Sequence, residues 1–67
     1  MPIVEITLVS GRAPEELRAM ISAVTKAVSE TVAAPVAAVR VIIREVPTTH
    51  FAAGDVTIAE RQAVSVT

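Results

Sequence analysis

The residue of this sequence that is best suited to catalytic chemistry is Pro2, which follows the initiator methionine. Proline is small enough for Met1 to be removed routinely, and removal would leave a secondary amine at the start of the chain. Such an amine is both a base and a nucleophile, and it titrates below the range of lysine. Pro2 opens an apolar segment, and three downstream residues could converge on it, namely Arg12, Arg40 and Phe51.

An amine beside two arginines suits the movement of a proton at a carbon atom. The base must be neutral at the working pH. Partial burial and two nearby guanidinium groups would both disfavour the ammonium form of Pro2 and so lower the pKa of its nitrogen. The same two groups, on Arg12 and Arg40, would stabilise the anion that forms during the transfer. The combination fits substrates that carry a carboxylate, and it requires no metal and no organic cofactor.

Each of these residues also has an ordinary structural interpretation. Arg40 lies in an apolar segment, where an arginine usually extends to solvent or pairs with a carboxylate such as Glu45. Arg12 follows a glycine and would ordinarily be an exposed loop residue, and a single phenylalanine such as Phe51 is more often part of a core or an interface. We interpret Arg44 and Glu45 as an intersubunit or surface pair. The residues alone leave catalytic and structural roles open.

Length and composition predict one small domain, residues 1–67, that associates with copies of itself. A chain of this size buries only about 60% of its unfolded surface and is marginally stable alone. The sequence has no cysteine and one histidine, which excludes disulfides and clusters of thiolate or imidazole metal ligands. Yet 52% of the residues are hydrophobic and the mean hydropathy is +0.60, which is more apolar surface than a small monomer can hide.

Charge and hydropathy also limit the classes of partner that we expect for this protein. A net charge of −1, a pI of about 5.7 and a single aromatic residue argue against nucleic-acid binding, which needs a basic field and stacking platforms. The longest apolar run, residues 32–39, contains Pro35 and is too short to span a membrane. No segment has the pattern of a secretory signal. We therefore expect a cytoplasmic protein with no nucleic-acid or membrane partner.

The elements that must position these residues follow from hydrophobic periodicity. Residues 2–9 alternate between apolar and polar side chains and predict a half-buried strand. A helix of about five turns is predicted from Pro14 until Pro35 ends it. A second strand is predicted from about residue 38 to about residue 46. The helix should pack on the strands through an apolar stripe formed by Leu17, Ile21, Val24, Val28 and Val32.

The order strand, helix, strand predicts a parallel pair, because one crossover helix fits between the two strands. A tight turn at residues 53–55 with a short returning strand predicts a C-terminal hairpin, whereas residues 60–67 leave a helical turn and a short strand open. The fold class is α/β (α+β), a single β-α-β unit with a parallel two-stranded sheet. Such a sheet has two free edges and an uncovered face, so we expect oligomerisation to complete it.

Four motifs occur in an order that is typical of one known family. The chain begins Met-Pro-Ile; residues 10–12 read SGR and residues 14–16 read PEE at the helix start. Residues 34–45 read APVAAVRVIIRE, and His-Phe at residues 50–51 precedes a turn. Over residues 2 to about 55, the sequence thereby resembles the 4-oxalocrotonate tautomerase family, the short-chain branch of the tautomerase superfamily.

The resemblance implies an isomerase. Its activity would be enol–keto tautomerisation, moving a proton between carbons of a 2-hydroxydienoate-like carboxylic acid. Pro2, exposed by removal of Met1, would be the general base. Arg12 and Arg40 match the two functional arginines of the family. One would bind a carboxylate, and the other, from a neighbouring chain, would polarise the carbonyl or enolate oxygen.

The resemblance also implies a substrate pocket and an assembly. Phe51 matches an aromatic wall of the family's pocket, and Val9 matches an aliphatic pocket residue. The assembly would be a hexamer, a trimer of dimers, with each active site at a subunit boundary. An alternative from a different class stays open, namely a catalytically silent subunit that serves as a binding or structural partner in a hexamer. A retained Met1 would favour it, because the nitrogen of Pro2 would then be an amide.

Overall fold

The computed structural model describes residues 1–65, which form a β-α-β unit followed by a C-terminal arm. The elements in chain order are β1 (Ile3–Val9), α1 (Pro14–Val32), β2 (Arg40–Val46), β3 (Ala52–Ala53), β4 (Val56–Thr57) and α2 (Ile58–Ser65). Single 3-10 turns at Val36–Ala38 and Thr48–His50 precede β2 and β3. β1 and β2 pair in parallel, and β3 and β4 form an antiparallel hairpin. This confirms the fold predicted from the sequence.

The bounds of α1 follow from local chemistry. Pro14 occupies the first helical position, where a missing N–H has no cost because no intrahelical acceptor exists. Ala13 has no side-chain acceptor, and the Glu16 carboxylate instead accepts a hydrogen bond from the Ala13 N–H at 2.9 Å. The helix ends at Val32, because Ala33 adopts a left-handed conformation with φ 56° and ψ 38°.

Two details of the predicted elements were wrong. β2 begins at Arg40 instead of near residue 38, because the chain first closes a 3-10 turn in which the Val39 N–H donates to the Val36 carbonyl at 3.2 Å. Val32, assigned to the apolar stripe of the helix, is 61% exposed. The reason is length, since α1 spans about 27 Å and each strand of the sheet only about 20 Å. The last turn of α1 therefore extends past the sheet.

The sheet has a face against α1 and an open face. The half-buried positions that alternate along the two strands include Val4, Ile6, Leu8, Val41 and Ile43. We call the other side the open face, and it consists of Ile3, Glu5, Thr7, Arg40, Ile42 and Arg44, all of which are exposed. Within one chain Arg44 does not pair with Glu45, whereas the intersubunit pair stays a prediction. Adjacent residues of a strand point to opposite faces, and Arg44 instead forms an ion pair with Glu5, with an Nη2–Oε1 distance of 3.2 Å.

The C-terminal arm, residues 48–65, packs mainly on itself. Its hairpin turns at Gly54 and Asp55, whose φ angles of 60° and 68° are typical of a two-residue type I′ turn. Helix α2 resolves the segment for which helix and strand were both left open. Residues 66–67 lie outside the described residues.

The dimensions show that the chain does not enclose its own core. The radius of gyration is 15.5 Å, against about 11 Å for a compact domain of this length. The accessible surface is 4870 Å², against about 4,000 Å² for a folded monomer of 7.0 kDa. Among the described residues, none is fully buried. Neither helix within residues 1–65 is long and apolar enough to cross a membrane.

Helix α2 begins with a capping box. The Glu60 carboxylate accepts hydrogen bonds from the Thr57 N–H at 2.8 Å and from the Thr57 hydroxyl at 3.1 Å. The same hydroxyl accepts one from the Glu60 N–H at 3.1 Å. The bond from the Thr57 backbone, followed by the bond from its hydroxyl, lowers the pKa of Glu60 below its usual value of 4.5. The start of α2 is therefore sensitive to pH.

We expect this capping box to stabilise α2 at neutral pH and to fail in acid. Because the pKa of folded Glu60 is lowered, the stabilisation is present above pH 4.5 and is lost as the pH falls through the folded value. The variant Glu60→Ala should lower protection of the α2 amides at about pH 7 and should lower it less at an acidic pH below the folded pKa of Glu60. Hydrogen exchange at the two pH values measures this. Glu30→Ala, which removes an exposed carboxylate from α1, is the matched control. An equal loss for Glu60→Ala at both pH values would contradict the account.

Candidate active site

Pro2 lies at the amino-terminal end of the sheet, directly beside the start of β2. Its carbonyl accepts a hydrogen bond from the Arg40 N–H at 2.9 Å, and the residue is half-buried. Met1 precedes it, and the Met1 ammonium donates to the Ala38 carbonyl at 2.7 Å. The nitrogen of Pro2 is therefore an amide while Met1 is present, and it becomes an amine on removal of Met1.

Arg40 places a permanent cation at the same end of the sheet. Its side chain is exposed, and its Nη1 donates to the Ala37 carbonyl at 2.8 Å. This bond orients the guanidinium and leaves further N–H groups for a ligand. A guanidinium remains charged at any physiological pH. Of the residues proposed to converge on Pro2, Arg40 is the one that the single chain brings to it.

Val9 and Arg12 lie at the opposite end of the sheet. Val9 is the last residue of β1, and the Arg12 Nη1 donates to the Val9 carbonyl at 3.2 Å. Between them, Ser10 is fixed to the end of β2 by bonds from its N–H and hydroxyl to the Val46 carbonyl at 2.8 and 2.9 Å. Gly11 has a φ of 126°, which glycine adopts without strain. After this turn the backbone at Arg12 has left β1, but the Arg12 side chain contacts the end of β1 through its bond to Val9.

Phe51 follows the same end of the sheet and belongs to the C-terminal arm. It is half-buried, and its carbonyl accepts a hydrogen bond from the Ile58 N–H at 2.9 Å. The Arg61 Nη2 donates to the Ala53 carbonyl at 3.0 Å and so links α2 to the hairpin. These two bonds fix Phe51 relative to the arm. No sequence pattern indicates a role for Arg61, because its partner is a backbone carbonyl, which residue types do not identify.

The five predicted site residues therefore form two groups at opposite ends of one sheet. Pro2 and Arg40 lie at the amino-terminal end, whereas Val9 and Arg12 lie at the carboxyl-terminal end with Phe51 beyond it. The seven residues of β1 span about 20 Å, which is longer than an arginine side chain. Within one chain, Arg12 and Phe51 do not come near Pro2, as a site at a subunit boundary requires, and their convergence in an assembly stays a prediction. A single chain cannot present both groups to one small substrate.

A groove of about 440 Å³ lies elsewhere, between α1 and Val36 of the turn before β2. Its lining contains none of the predicted site residues and consists of Arg18, Ile21, Ser22, Thr25, Lys26, Ser29, Glu30 and Val36. Its charged residues are Arg18, Lys26 and Glu30, and the amino terminus of the chain is not part of it. Within residues 1–65, no cluster of His, Asp and Glu side chains could hold a metal ion. We therefore place the candidate site at the ends of the sheet.

Sequence comparison identifies close relatives of this chain. Residues 2–61 match the profile of a protein family described as tautomerase enzyme. The chain is 43% identical to 2-hydroxymuconate tautomerase of Stutzerimonas stutzeri over 54 residues, which are 81% of this chain and 86% of that protein.

Solved structures share the fold over about nine tenths of this chain. One is TomN, described as a 4-oxalocrotonate tautomerase homologue in the tomaymycin biosynthetic pathway. It has a TM-score of 0.91 and 44% identity, covering 92% of this chain and 95% of that chain. A heterohexamer 4-oxalocrotonate tautomerase from Chloroflexus aurantiacus has a TM-score of 0.87 and 37% identity, covering 90% of this chain and 97% of that chain.

The Arg61 bond generates a prediction about the arm. The variant Arg61→Ala removes the bond to the Ala53 carbonyl, so the hairpin and α2 should separate more often. We expect hydrogen exchange at the Ile58 amide, which donates to Phe51, to accelerate about tenfold, in line with the loss of one charge-assisted hydrogen bond. Arg18→Ala is the matched control, because Arg18 donates to the Ser22 hydroxyl on α1. Equal exchange of the Ile58 amide in both variants would show that Arg61 does not hold the arm.

Proposed function

The chain belongs to the tautomerase family, and from this premise we propose that Pro2 catalyses enol–keto tautomerisation of 2-hydroxydienoate-like carboxylic acids. The family makes the protein an isomerase related to 4-oxalocrotonate tautomerase. The catalytic roles and the substrate class are the proposal. A 2-hydroxymuconate tautomerase among the relatives supports an unsaturated hydroxy acid as substrate.

The observation that carries the proposal is the hydrogen bond from the Arg40 N–H to the Pro2 carbonyl at 2.9 Å. It fixes the chain terminus against the sheet and beside the backbone of a permanently charged residue. A terminal amine is usually mobile and solvated. Here the half-buried position of Pro2 and the neighbouring cation both favour the neutral amine, which is the form that accepts a proton.

The reaction then needs only a proton shuttle. The lone pair of the Pro2 nitrogen takes the proton of the substrate's 2-hydroxyl group, and the electron pair of the broken O–H bond spreads over the conjugated dienolate. The Pro2 ammonium then delivers this proton to a carbon of the same system, and the oxygen is left as the ketone. No atom is gained or lost, and the amine is regenerated. The chemistry therefore calls for no cofactor.

The arginines act on the charge of the substrate. One of Arg12 and Arg40 binds a carboxylate, and the other polarises the carbonyl or enolate oxygen where negative charge develops. Because Arg12 lies about 20 Å from Pro2 along β1, the Arg12 of the site comes from a second chain. Val9 and Phe51 accompany Arg12 at that end of the sheet and supply the apolar walls of the pocket.

The assembly is an oligomer, and we propose a homohexamer built as a trimer of dimers. Each chain exposes about 800 Å² more than a compact monomer of its mass, which is the area that one partner contributes to a standard interface. The heterohexamer from Chloroflexus aurantiacus supports an assembly of six chains. The single domain over residues 1–67 and the cytoplasmic location stay predictions.

Replacement of the proposed base should remove most of the activity. Pro2→Ala leaves a primary amine in place of the ring nitrogen, and we expect a fall of at least about 10²-fold in kcat/KM, the usual contribution of a positioned general base. An ultraviolet assay with 2-hydroxymuconate and with phenylenolpyruvate measures it. Pro14→Ala, at the start of α1, is the matched proline control.

Equal rates for Pro2→Ala and the unaltered protein would remove Pro2 from the mechanism. The N-terminal mass of each preparation accompanies the assay, because retained Met1 leaves the Pro2 nitrogen as an amide. Retained Met1 together with absent activity would support the alternative, a catalytically silent subunit in a hexamer.

Division of the site between chains predicts complementation. A Pro2→Ala chain still offers Arg12, and an Arg12→Ala chain still offers Pro2. When the two variants are coexpressed in equal amounts, about one site in four should hold both native groups, since each site draws its two groups from different subunits. We expect the mixture to regain about a quarter of the native activity, whereas each variant alone stays inactive. A mixture no more active than its components would show that the groups act within one chain.

A further inference from the structure

Two backbone carbonyls of the 3-10 turn Val36–Ala38 each hold a positive group at the amino-terminal end of the sheet. The Ala37 carbonyl accepts the bond from the Arg40 Nη1 at 2.8 Å, and the Ala38 carbonyl accepts the bond from the Met1 ammonium at 2.7 Å. The last carbonyls of a helical turn have no partner within the turn and accept bonds from other groups. The acceptor at Ala38 therefore points towards the chain terminus.

The register of the sheet makes the Ala38 carbonyl the ladder partner of the Pro2 nitrogen. Ile3 lies opposite Arg40, so Pro2 lies opposite Val39. In a parallel ladder, the C=O and the N–H of one residue bond to the two residues that flank its opposite residue. For Pro2 these residues are Arg40 and Ala38. The first of the two bonds is present, because the Arg40 N–H donates to the Pro2 carbonyl at 2.9 Å.

The second ladder bond cannot form while Met1 is present. The nitrogen of Pro2 is then a tertiary amide and has no N–H to donate. The Met1 ammonium, one residue earlier, occupies the Ala38 acceptor instead. Removal of Met1 takes this donor away and gives the Pro2 nitrogen an N–H of its own. Ala38 and Pro2 are both half-buried, so water competes less for this acceptor than for an exposed carbonyl.

We propose that the Ala38 carbonyl is a positioning group for the base: after removal of Met1 it accepts an N–H from the Pro2 nitrogen and fixes the direction of the lone pair. The inference rests on the proposed role of Pro2 and deepens it. A neutral secondary amine can invert at nitrogen, which exchanges the places of its N–H and its lone pair. The bond to Ala38 selects the form whose lone pair points away from that carbonyl, and proton transfer depends on such alignment.

The same bond gives the two N–H groups of the ammonium different roles. The proton from the substrate's 2-hydroxyl enters at the lone pair, so one N–H stays on the Ala38 carbonyl and only the other is delivered to carbon. A charged donor forms the stronger hydrogen bond, so this carbonyl favours the ammonium and raises the pKa of Pro2. Burial and the guanidinium groups of Arg40 and of Arg12 from a second chain lower it. The opposing effects keep this pKa near the working pH, which a proton shuttle requires.

Exchange of one backbone atom tests the proposal. A chain of this length that begins at Pro2 can be made by chemical synthesis with the Ala38 carbonyl replaced by a thiocarbonyl. Sulfur accepts hydrogen bonds less strongly than oxygen, and every side chain and every N–H is kept. The matched control carries the thiocarbonyl at Ile42, which the same ladder pattern pairs with the Ile6 N–H. Both changes weaken one ladder acceptor, and only the first acts on Pro2.

We expect the thiocarbonyl at Ala38 to lower the pKa of the Pro2 nitrogen, measured by nitrogen-15 NMR, and to move the acidic limb of the kcat/KM profile to lower pH. It should reduce kcat about tenfold and leave KM nearly unchanged, because the direction of the lone pair matters in proton transfer and not in binding. The thiocarbonyl at Ile42 should change neither the pKa nor kcat.

A second measurement uses the unaltered backbone. When carbon-13 is placed only at the Ala38 carbonyl, the chemical shift of that carbon should titrate with the same midpoint as the Pro2 nitrogen. The control is carbon-13 at the Ala37 carbonyl, whose partner Arg40 keeps its charge over this range, so its shift should stay constant. This measurement decides the question if the chain with the thiocarbonyl at Ala38 does not fold.

Two results would overturn the inference. The first is a pKa of Pro2 and a kcat that are the same with the thiocarbonyl at Ala38 as at Ile42. The second is a carbonyl carbon of Ala38 whose shift does not follow the titration of Pro2. An unaltered chain that is inactive, or whose Pro2 nitrogen does not titrate, would overturn the proposed function itself, so the two proposals fail on different observations.

Discussion

A two-stranded sheet covered by one helix has an open face and two free edges, and no other element among residues 1–65 covers them. The described residues include none that is fully buried, and the chain is more extended than a domain of its length should be. The sheet nevertheless alternates half-buried and exposed positions with isoleucines on both faces. This sequence therefore obtains a core only when chains associate. The proposed site residues take their final positions relative to one another in that assembly.

The same constraint governs the site. β1 carries Pro2 before its first residue and Arg12 shortly after its last, so the strand that organises the fold also keeps the two groups about 20 Å apart. Chains that meet end to end or side by side can bring one end of a strand to the other end of its neighbour. Folding and catalysis then depend on the same contacts. If the proposed site is correct, a change that weakens association lowers activity even when it touches no substrate, because the proposed pocket walls from Val9 and Phe51 are lost together with Arg12.

Local patterns in the sequence predicted the β-α-β unit and the hairpin, because periodicity of two and of about 3.6 residues is a local property. Features that depend on distant residues were not predictable. The ion pair of Arg44 and Glu5 depends on the register of two strands, and the exposure of Val32 depends on the lengths of helix and sheet relative to each other. The start of α2 was predictable in principle, since Thr57 and Glu60 form the S/T-x-x-E signature of a capping box. The motifs around the site residues predicted the family, and the predicted parallel strands already placed Pro2 and Arg40 at one end of the sheet and Arg12 at the other.

We propose that a second chain completes the environment of an uncharged amine at Pro2. Nitrogen-15 NMR of protein labelled with ¹⁵N-proline measures the charge of this amine, since the nitrogens of Pro14, Pro35 and Pro47 are amides and serve as internal references. We expect the Pro2 nitrogen to titrate with a pKa below that of an ordinary N-terminal amine, and we expect Arg12→Ala to raise this pKa. A Pro2 nitrogen that does not titrate, or one with an ordinary pKa that Arg12→Ala leaves unchanged, would contradict the proposal.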